Sequence, residues 1–282
     1  MVTDLWRSVV DPQRITTTSV VRWHGSQRVE VEDQLTIEEP LEIRLGGASL
    51  AVIMRTPGHD EELAAGFLLA EGLIRQPYEL CGVAPAIDAD GLPLANAVDV
   101  TLAPEIGVVP ERVMARRFSV SSSCGLCGKA CLDVLFREVR PIDSASVQVS
   151  LRVLYRLPQI LAEQQTVFHS TGSLHAAALF TSSGELLALR EDVGRHNAVD
   201  KLIGRAILNG ALPPPDSILL VSGRVSLEIA QKALLARIPI VAAVSGPSDL
   251  AVDTARRGGL TLIGFLRDQR MNVYAGEERI CP

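Results

Sequence analysis

The chain has 282 residues, 47% of them apolar and 21% charged, with a formal net charge of −6. That length suits one large domain or two modest ones with a sizeable core. The acidic balance excludes broad electrostatic attraction to nucleic acid or to an anionic membrane, so an anionic ligand has to be held by a local cluster of Arg and Lys; aromatic residues, at 4%, are too few for a surface of stacked rings.

The opening stretch MVTDLWRSVVDPQRI has no apolar segment ahead of a small-residue cleavage site. The apolar runs are too short and interrupted to span a bilayer. The expectation is a soluble, cytoplasmic protein with no nucleic-acid or membrane partner. No repeat or low-complexity tract is visible, and about the first 30 residues receive no role.

The first elements read as strands over 29–45 and 48–55, joined by a Gly46-Gly47 turn. Asp60, Glu61 and Glu62 suit a helix N-terminus, and Leu63, Phe67, Ala70 and Ile74 keep helical spacing, so a helix is predicted over 60–74. The stretch 85–93, rich in Pro, Asp and Gly, reads as a loop, and 98–102 as a short strand. Residues 105–150 are polar, small and Gly-rich, and are expected to form a mobile connector. Beyond it, 151–164 reads as a helix kinked or divided by Pro158. Strands at 174–180 and 186–189 flank a turn at 182–184, and a helix follows over 194–208. Apolar strands at 217–221, 239–244 and 260–265 alternate with helices near 226–236 and 248–257. Continuous apolar strands separated by helices predict an α/β sandwich whose sheet is buried on both faces. The division expected is an N-terminal β-rich lobe over 1–110, a cysteine loop and connector over 111–150, and an α/β ligand-binding lobe over 151–282.

Five cysteines, Cys81, Cys124, Cys127, Cys131 and Cys281, form an odd set. A long chain with such a set is not a disulfide scaffold, and clustering favours metal or thiol chemistry. Cys124-Gly125-Leu126-Cys127-Gly128 is the sharpest motif. A CxxC pair can supply half a metal site, cycle as a dithiol, or use one thiolate as nucleophile. A structural zinc site lacks its remaining ligands unless Cys131 and one of His169, His175 or His196 complete it; no permanent metal is expected. A thioredoxin-type site wants its CxxC near a βαβ pattern, whereas this one follows a Ser-rich loop. A Gly-flanked loop suits sulfur carriage, with Arg112, Arg116, Arg117 and Lys129 favouring the thiolate. The bland alternative is a plain surface connector. Cys131 reads as a small buried apolar residue, and Cys81 and Cys281 have no assigned role.

Four predicted strands end in residues that suit an anion: Glu191 to Asn197 (EDVGRHN), Ser222-Gly223-Arg224, Ser245-Gly246-Pro247-Ser248, and Phe265 to Arg270 (FLRDQR). In open α/β sheets ligands sit beyond the carboxyl ends of strands, and helix N-terminal amides suit phosphate. Arg195 can pair with such an anion in a bidentate way. Asp192 reads equally as a helix cap, and Gly and Ser also simply punctuate turns. His175, within Thr171 to Ala177, meets a ligand or is a satisfied core histidine.

CGLCG at 124–128, TGSLHAAA at 171–178, EDVGRHNAVDKLIGR at 191–205, SGR at 222–224, IAQKA at 229–233 and LTLIGF at 260–265 together resemble the FdhD family, as does PGHDEELAAGFLLAEGLI at 57–74. The likeness runs from about residue 35 onward. It implies a sulfur carrier that takes sulfur from a cysteine desulfurase as a persulfide on Cys124, assisted by Cys127. The sulfur passes to the molybdenum of the bis(molybdopterin guanine dinucleotide) cofactor, as formate dehydrogenase requires. The cofactor is then a bound substrate, and formate dehydrogenase apoenzyme is the acceptor partner. The resemblance implies that Phe265, Leu266, Arg267, Asp268, Gln269 and Arg270 bind the cofactor. Arg195, His196 and Arg224 are read beside them as contacts to its guanine nucleotide part. It also implies a three-layer sandwich similar to cytidine deaminases, and a homodimer. Asp268 among the basic residues departs from the family pattern. So does the absence of a deaminase signature: Ala177 stands two residues after His175, and Ser123 precedes Cys124. Two other readings are a cofactor-binding and insertion chaperone without sulfur transfer, and a zinc-dependent hydrolase of deaminase type.

Overall fold

The computed structural model describes residues 14–106, 136, 139–143 and 147–282. The cysteine motif, Cys131, Arg112, Arg116, Arg117 and Lys129 lie outside them.

The first strands, β1 (Ile15–His24) and β2 (Gln27–Thr36), form an antiparallel ribbon closed at Gly25, whose φ is 60°. Two-residue hairpin loops need that left-handed geometry. The single strand predicted over 29–45 is thus two, because the extended chain changes sheet at residues 37 and 38. Strands β3 (Glu39–Leu45) and β4 (Ala48–Arg55) pair about the predicted glycine turn, with Gly46 and Gly47 both left-handed.

Helix α1 (Asp60–Ala70) stops four residues short of the predicted end. Gly72, at φ 68°, turns the chain. Its N–H donates to Leu69 O and that of Leu73 to Leu68 O, closing the last turn in a Schellman motif. Ile74 stays buried beyond the helix, so its helical spacing was a packing signal without being helix. The predicted loop over 85–93 shrinks to 88–92. It separates β5 (Leu80–Ile87) from β6 (Pro93–Leu102), and Asp88 Oδ1 accepts from the N–H groups of Asp90 and Leu92. Pro85 lies within β5, an edge strand of the sheet ordered β4-β3-β6-β5, and an edge is where a strand tolerates proline.

Past a two-residue strand β7 (Val149–Ser150), helix α2 (Leu151–Gln164) runs through Pro158 undivided. Its N-cap Ser150 accepts from Val153 N–H. A short helix α3 (Thr166–Thr171), not foreseen in the sequence, leads to β8 (His175–Phe180) and β9 (Leu186–Asp192). Then follow α4 (Arg195–Leu208), β10 (Ile218–Val221), α5 (Leu227–Leu235), β11 (Ile240–Ala243), α6 (Asp249–Gly258), β12 (Thr261–Arg267), β13 (Arg270–Ala275) and β14 (Ile280–Cys281). The sheet order is β13-β12-β11-β10-β8-β9. Strands β10, β11 and β12 are parallel to one another, and the other pairs are antiparallel.

Both faces of this sheet are buried, by alternate residues. Ala177, Leu179, Leu219, Val221, Val241, Ala243 and Leu262 join one apolar core with α1, α4, α5 and α6; the intervening Ala176, Ala178, Phe180, Ile218, Leu220, Ile240 and Ala242 join a second core against α2. Leu41, Ile43, Val98 and Val100 of the four-stranded sheet belong to the first core. The molecule is thus a mixed α/β structure, with helices on both faces of the larger sheet.

Helices α1 and α4 cross in close contact through two glycines. A Cβ on Gly204 would stand 1.7 Å from Glu62 O, and one on Gly66 would stand 2.0 Å from Asp200 O. No side chain fits at either point, so this crossing requires glycine.

Candidate functional site

The sheet register brings the predicted strand-end clusters to one edge. Because β8 and β9 are antiparallel, His175 at the start of β8 pairs with Asp192 at the end of β9. Ser222, just past β10, donates its N–H to Ala176 O and accepts from Ala176 N–H on its hydroxyl. Gly223 lies against His175 and Arg195: a Cβ there would be 3.4 Å from His175 Nδ1 and 3.8 Å from Arg195 Cδ. Val225 bridges to Pro247, and Phe265 N–H donates to Ser245 O, which ties in the ends of β11 and β12. Gly246 lies under the Phe265 ring, where a Cβ would approach Cζ to 2.8 Å.

The segment 265–270 departs from its expected place after the last strand. It is the end of β12 and the turn into β13, which the sequence reading did not assign. Phe265 sits in a bulge with φ 55° and is 38% exposed. A bulge re-aims a side chain, which here reaches Gly246. Leu266 is fully buried in the core on the α2 side, so only its backbone can meet a ligand. Asp268 and Gln269, at φ 51° and 55°, form a two-residue turn between the paired Arg267 and Arg270. These four side chains are exposed, with Arg270 3.8 Å from Asp268.

Four nitrogen-bearing side chains gather beside Gly223: His175, Arg195, His196 and Arg224. Burial, then the charges of Arg195, His196 and Arg224, hold the His175 pKa below its usual range. The Nε of Arg195 is buried with no hydrogen-bond partner among the described residues, although a buried donor normally has one. His196 Nε2 lies 2.8 Å from Glu228 Oε2 and 3.1 Å from Ser226 Oγ. That contact is the first cause of a lowered Glu228 pKa.

Asp192 anchors the site from below. Its Oδ1 accepts from Gly194 N–H and from Asn197 Nδ2, each within 2.9 Å. Its Oδ2 accepts from Thr56 N–H and faces the buried Lys201 Nζ at 2.7 Å. Asp192 therefore pins the turn into α4 to the β4–α1 junction, while Gly194 occupies the N-cap. Glu191 accepts from the N–H groups of Val167 and Phe168 at the start of α3. The sequence reading missed Thr56, Lys201, Ser226 and Glu228. None of them gave a signal: Lys201 lies opposite the apolar stripe of its helix, where a charge is ordinary.

A separate cleft of about 520 Å³ opens at the start of α1, lined by Glu39, Arg55, His59, Asp60, Glu61 and Asn96 among others. Its guanidinium, Arg55, is already bound by Asp60, Glu39 and Asn96, so the cleft suits an anion less than the strand-end edge does. His59 beside it has its pKa pushed down to about 4, first by burial and then by Arg190. Between about 6.5 and about 4, the unfolded chain takes up a proton that the folded His59 refuses, so stability declines as pH falls through that window. His59 is 43% exposed, and screening reduces the effect to on the order of 1 kcal/mol. Thermal midpoints recorded from pH 7 to pH 4 should show the decline, and His59→Asn, which keeps the left-handed φ of 59° accessible, should flatten part of it.

The FdhD/NarQ family model matches residues 36–281. The sulfur carrier protein FdhD of Streptomyces avermitilis is 54% identical over 252 residues, covering 88% of this chain and 89% of that protein. The FdhD protein of Mycolicibacterium paratuberculosis is 49% identical over 260 residues, covering 91% of this chain and 95% of that protein. That of Anaeromyxobacter dehalogenans is 43% identical, covering 99% and 98%. Among solved structures, the crystal structure of a candidate formate dehydrogenase accessory protein from Desulfotalea psychrophila superposes with a TM-score of 0.74 at 24% identity, covering 95% of this chain and all of that one, a likeness of fold. No helix among the described residues is long and apolar enough to cross a membrane. The matched span 36–281 takes in all of the strand ends that the sheet gathers, and the chain belongs to the FdhD/NarQ family.

Proposed function

We propose that this protein is a sulfur carrier for formate dehydrogenase maturation. It accepts sulfur from a cysteine desulfurase as a Cys124 persulfide and passes it to the molybdenum of bis(molybdopterin guanine dinucleotide). In the first step the Cys124 thiolate attacks the terminal sulfur of the donor persulfide. A new S–S bond forms at Cys124, the donor S–S bond breaks, and the donor leaves as a thiolate. The cofactor is a substrate held at the strand ends, its guanine nucleotide part beside Arg195, His196 and Arg224 and the segment 265–270. The formate dehydrogenase apoenzyme is the acceptor partner, the carrier acts as a cytoplasmic homodimer, and the fold is of the cytidine deaminase type without its zinc chemistry.

One observation carries the binding half of this reading: a buried Arg195 Nε with no partner among the described residues, at the start of α4 and close, like Arg224, to His175. A pyrophosphate supplies the missing acceptor, and the helix N-terminus favours its charge. GDP carries the guanine, ribose and pyrophosphate of half the cofactor. It should bind in calorimetry, and Arg195→Ala and Arg224→Ala should each weaken it roughly tenfold or more, the worth of a charge-assisted hydrogen bond. Equal GDP affinity in both variants and the parent would remove the strand-end site from the reading.

A further inference from the structure

Among the described residues, three helices begin at a serine N-cap. Ser150 accepts from Val153 N–H and Ser248 accepts from Ala251 N–H, as such residues usually do. Ser226, the N-cap of α5, makes no such bond. Its hydroxyl lies 3.1 Å from His196 Nε2 instead, and Glu228 in the first turn of α5 brings Oε2 to 2.8 Å from the same nitrogen. The start of α5 thus forgoes a side-chain cap and commits two residues to one imidazole on α4.

We infer that Glu228, seconded by Ser226, is a positioning residue that fixes the proton of His196 on Nε2 and leaves Nδ1 as the ring atom free to meet a ligand. An ionised carboxylate only accepts, so the nitrogen it faces carries a hydrogen. A neutral His196 then presents Nδ1 as an acceptor, and a charged one presents a second N–H donor. Glu228 is the carboxylate in direct contact with the ring, and the imidazole beside it holds its pKa down, which keeps it an acceptor. Asp200 and Asp192 are committed instead to Lys232 and Lys201.

The consequence for affinity rests on the reading that His196 belongs to a nucleotide-phosphate site; the protonation claim does not. The test is nitrogen-resolved NMR of the His196 ring across pH in the full chain without ligand. In the parent protein the neutral ring should be protonated on Nε2. The neutral ring protonated on Nδ1 would overturn the inference without any variant. In Glu228→Ala, which leaves only the Ser226 hydroxyl on that nitrogen, able to donate or to accept, the neutral ring should become a mixture of the two tautomers. Glu228→Asp should keep part of the Nε2 preference. An unchanged tautomer in a folded Glu228→Ala protein would also overturn it. GDP calorimetry on the same samples separates the two readings. A tautomer that changes in Glu228→Ala, with no GDP binding in the parent, sinks the nucleotide site and leaves the His196–Glu228 assignment standing.

Discussion

Cys124→Ser is expected to abolish activation of formate dehydrogenase while GDP binding stays at the parental level. The change removes one sulfur atom and little volume, but a serine hydroxyl is hardly ionised near neutral pH and cannot hold a persulfide. A thiolate does both. The nucleotide contacts proposed here come from α4, from the loop after β10 and from the β12–β13 turn, none of which includes Cys124. Binding and carriage should therefore separate. Incubation with a cysteine desulfurase and cysteine should add sulfur to the Cys124 peptide by mass spectrometry, and Cys124→Ser should carry none. A variant that still activates the enzyme would favour the chaperone reading, in which the cofactor is held and inserted and the cysteines are incidental. Loss of GDP binding along with activity would mean that Cys124 supports the site's structure rather than its chemistry.

The sequence was most legible where a local pattern coincides with a tertiary one. The apolar runs of β10, β11 and β12 are buried on both sides, so the run itself marks the strand, and the parallel sheet follows from the helices between them. The Gly and Ser residues after those strands mark the edge proposed to hold the ligand for the same topological reason. Reading failed where the cause was distant. The ribbon of β1 and β2 is exposed almost throughout and shows no buried face to detect. The turn between β12 and β13 is Asp268-Gln269, with no glycine to announce its two left-handed residues. Pro85 suggests a loop unless one knows that its strand is an edge. In the site, Arg195 and Arg224 could be picked out as cations beside glycines. Glu228 could not, because its partner His196 is 32 positions earlier and only the packing of α4 against α5 joins them.

The buried pair under the site should respond asymmetrically to mutation. Lys201 and Asp192 side chains are both fully buried, and burial pulls the Lys201 pKa down while Asp192 holds it up. Asp192→Ala strips the counter-charge from a buried ammonium and also leaves the N–H groups of Thr56 and Gly194 without their acceptor. Breaking a buried pair in this way costs about 3–5 kcal/mol. Lys201→Met removes the ammonium itself with little change in volume and loses its bond to Thr56 O. The carboxylate it leaves behind still accepts from Thr56 N–H, Gly194 N–H and Asn197 Nδ2, donors that stabilise an ionised form. Urea unfolding should therefore place Asp192→Ala well below Lys201→Met. The lysine variant should also keep more GDP affinity, because the turn carrying Arg195 and His196 is held by the carboxylate and not by the lysine. Equal losses in the two variants would mean that the pair acts as a single ionic contact, and that the hydrogen bonds fanning out from Asp192 contribute little to holding the strand-end site in place.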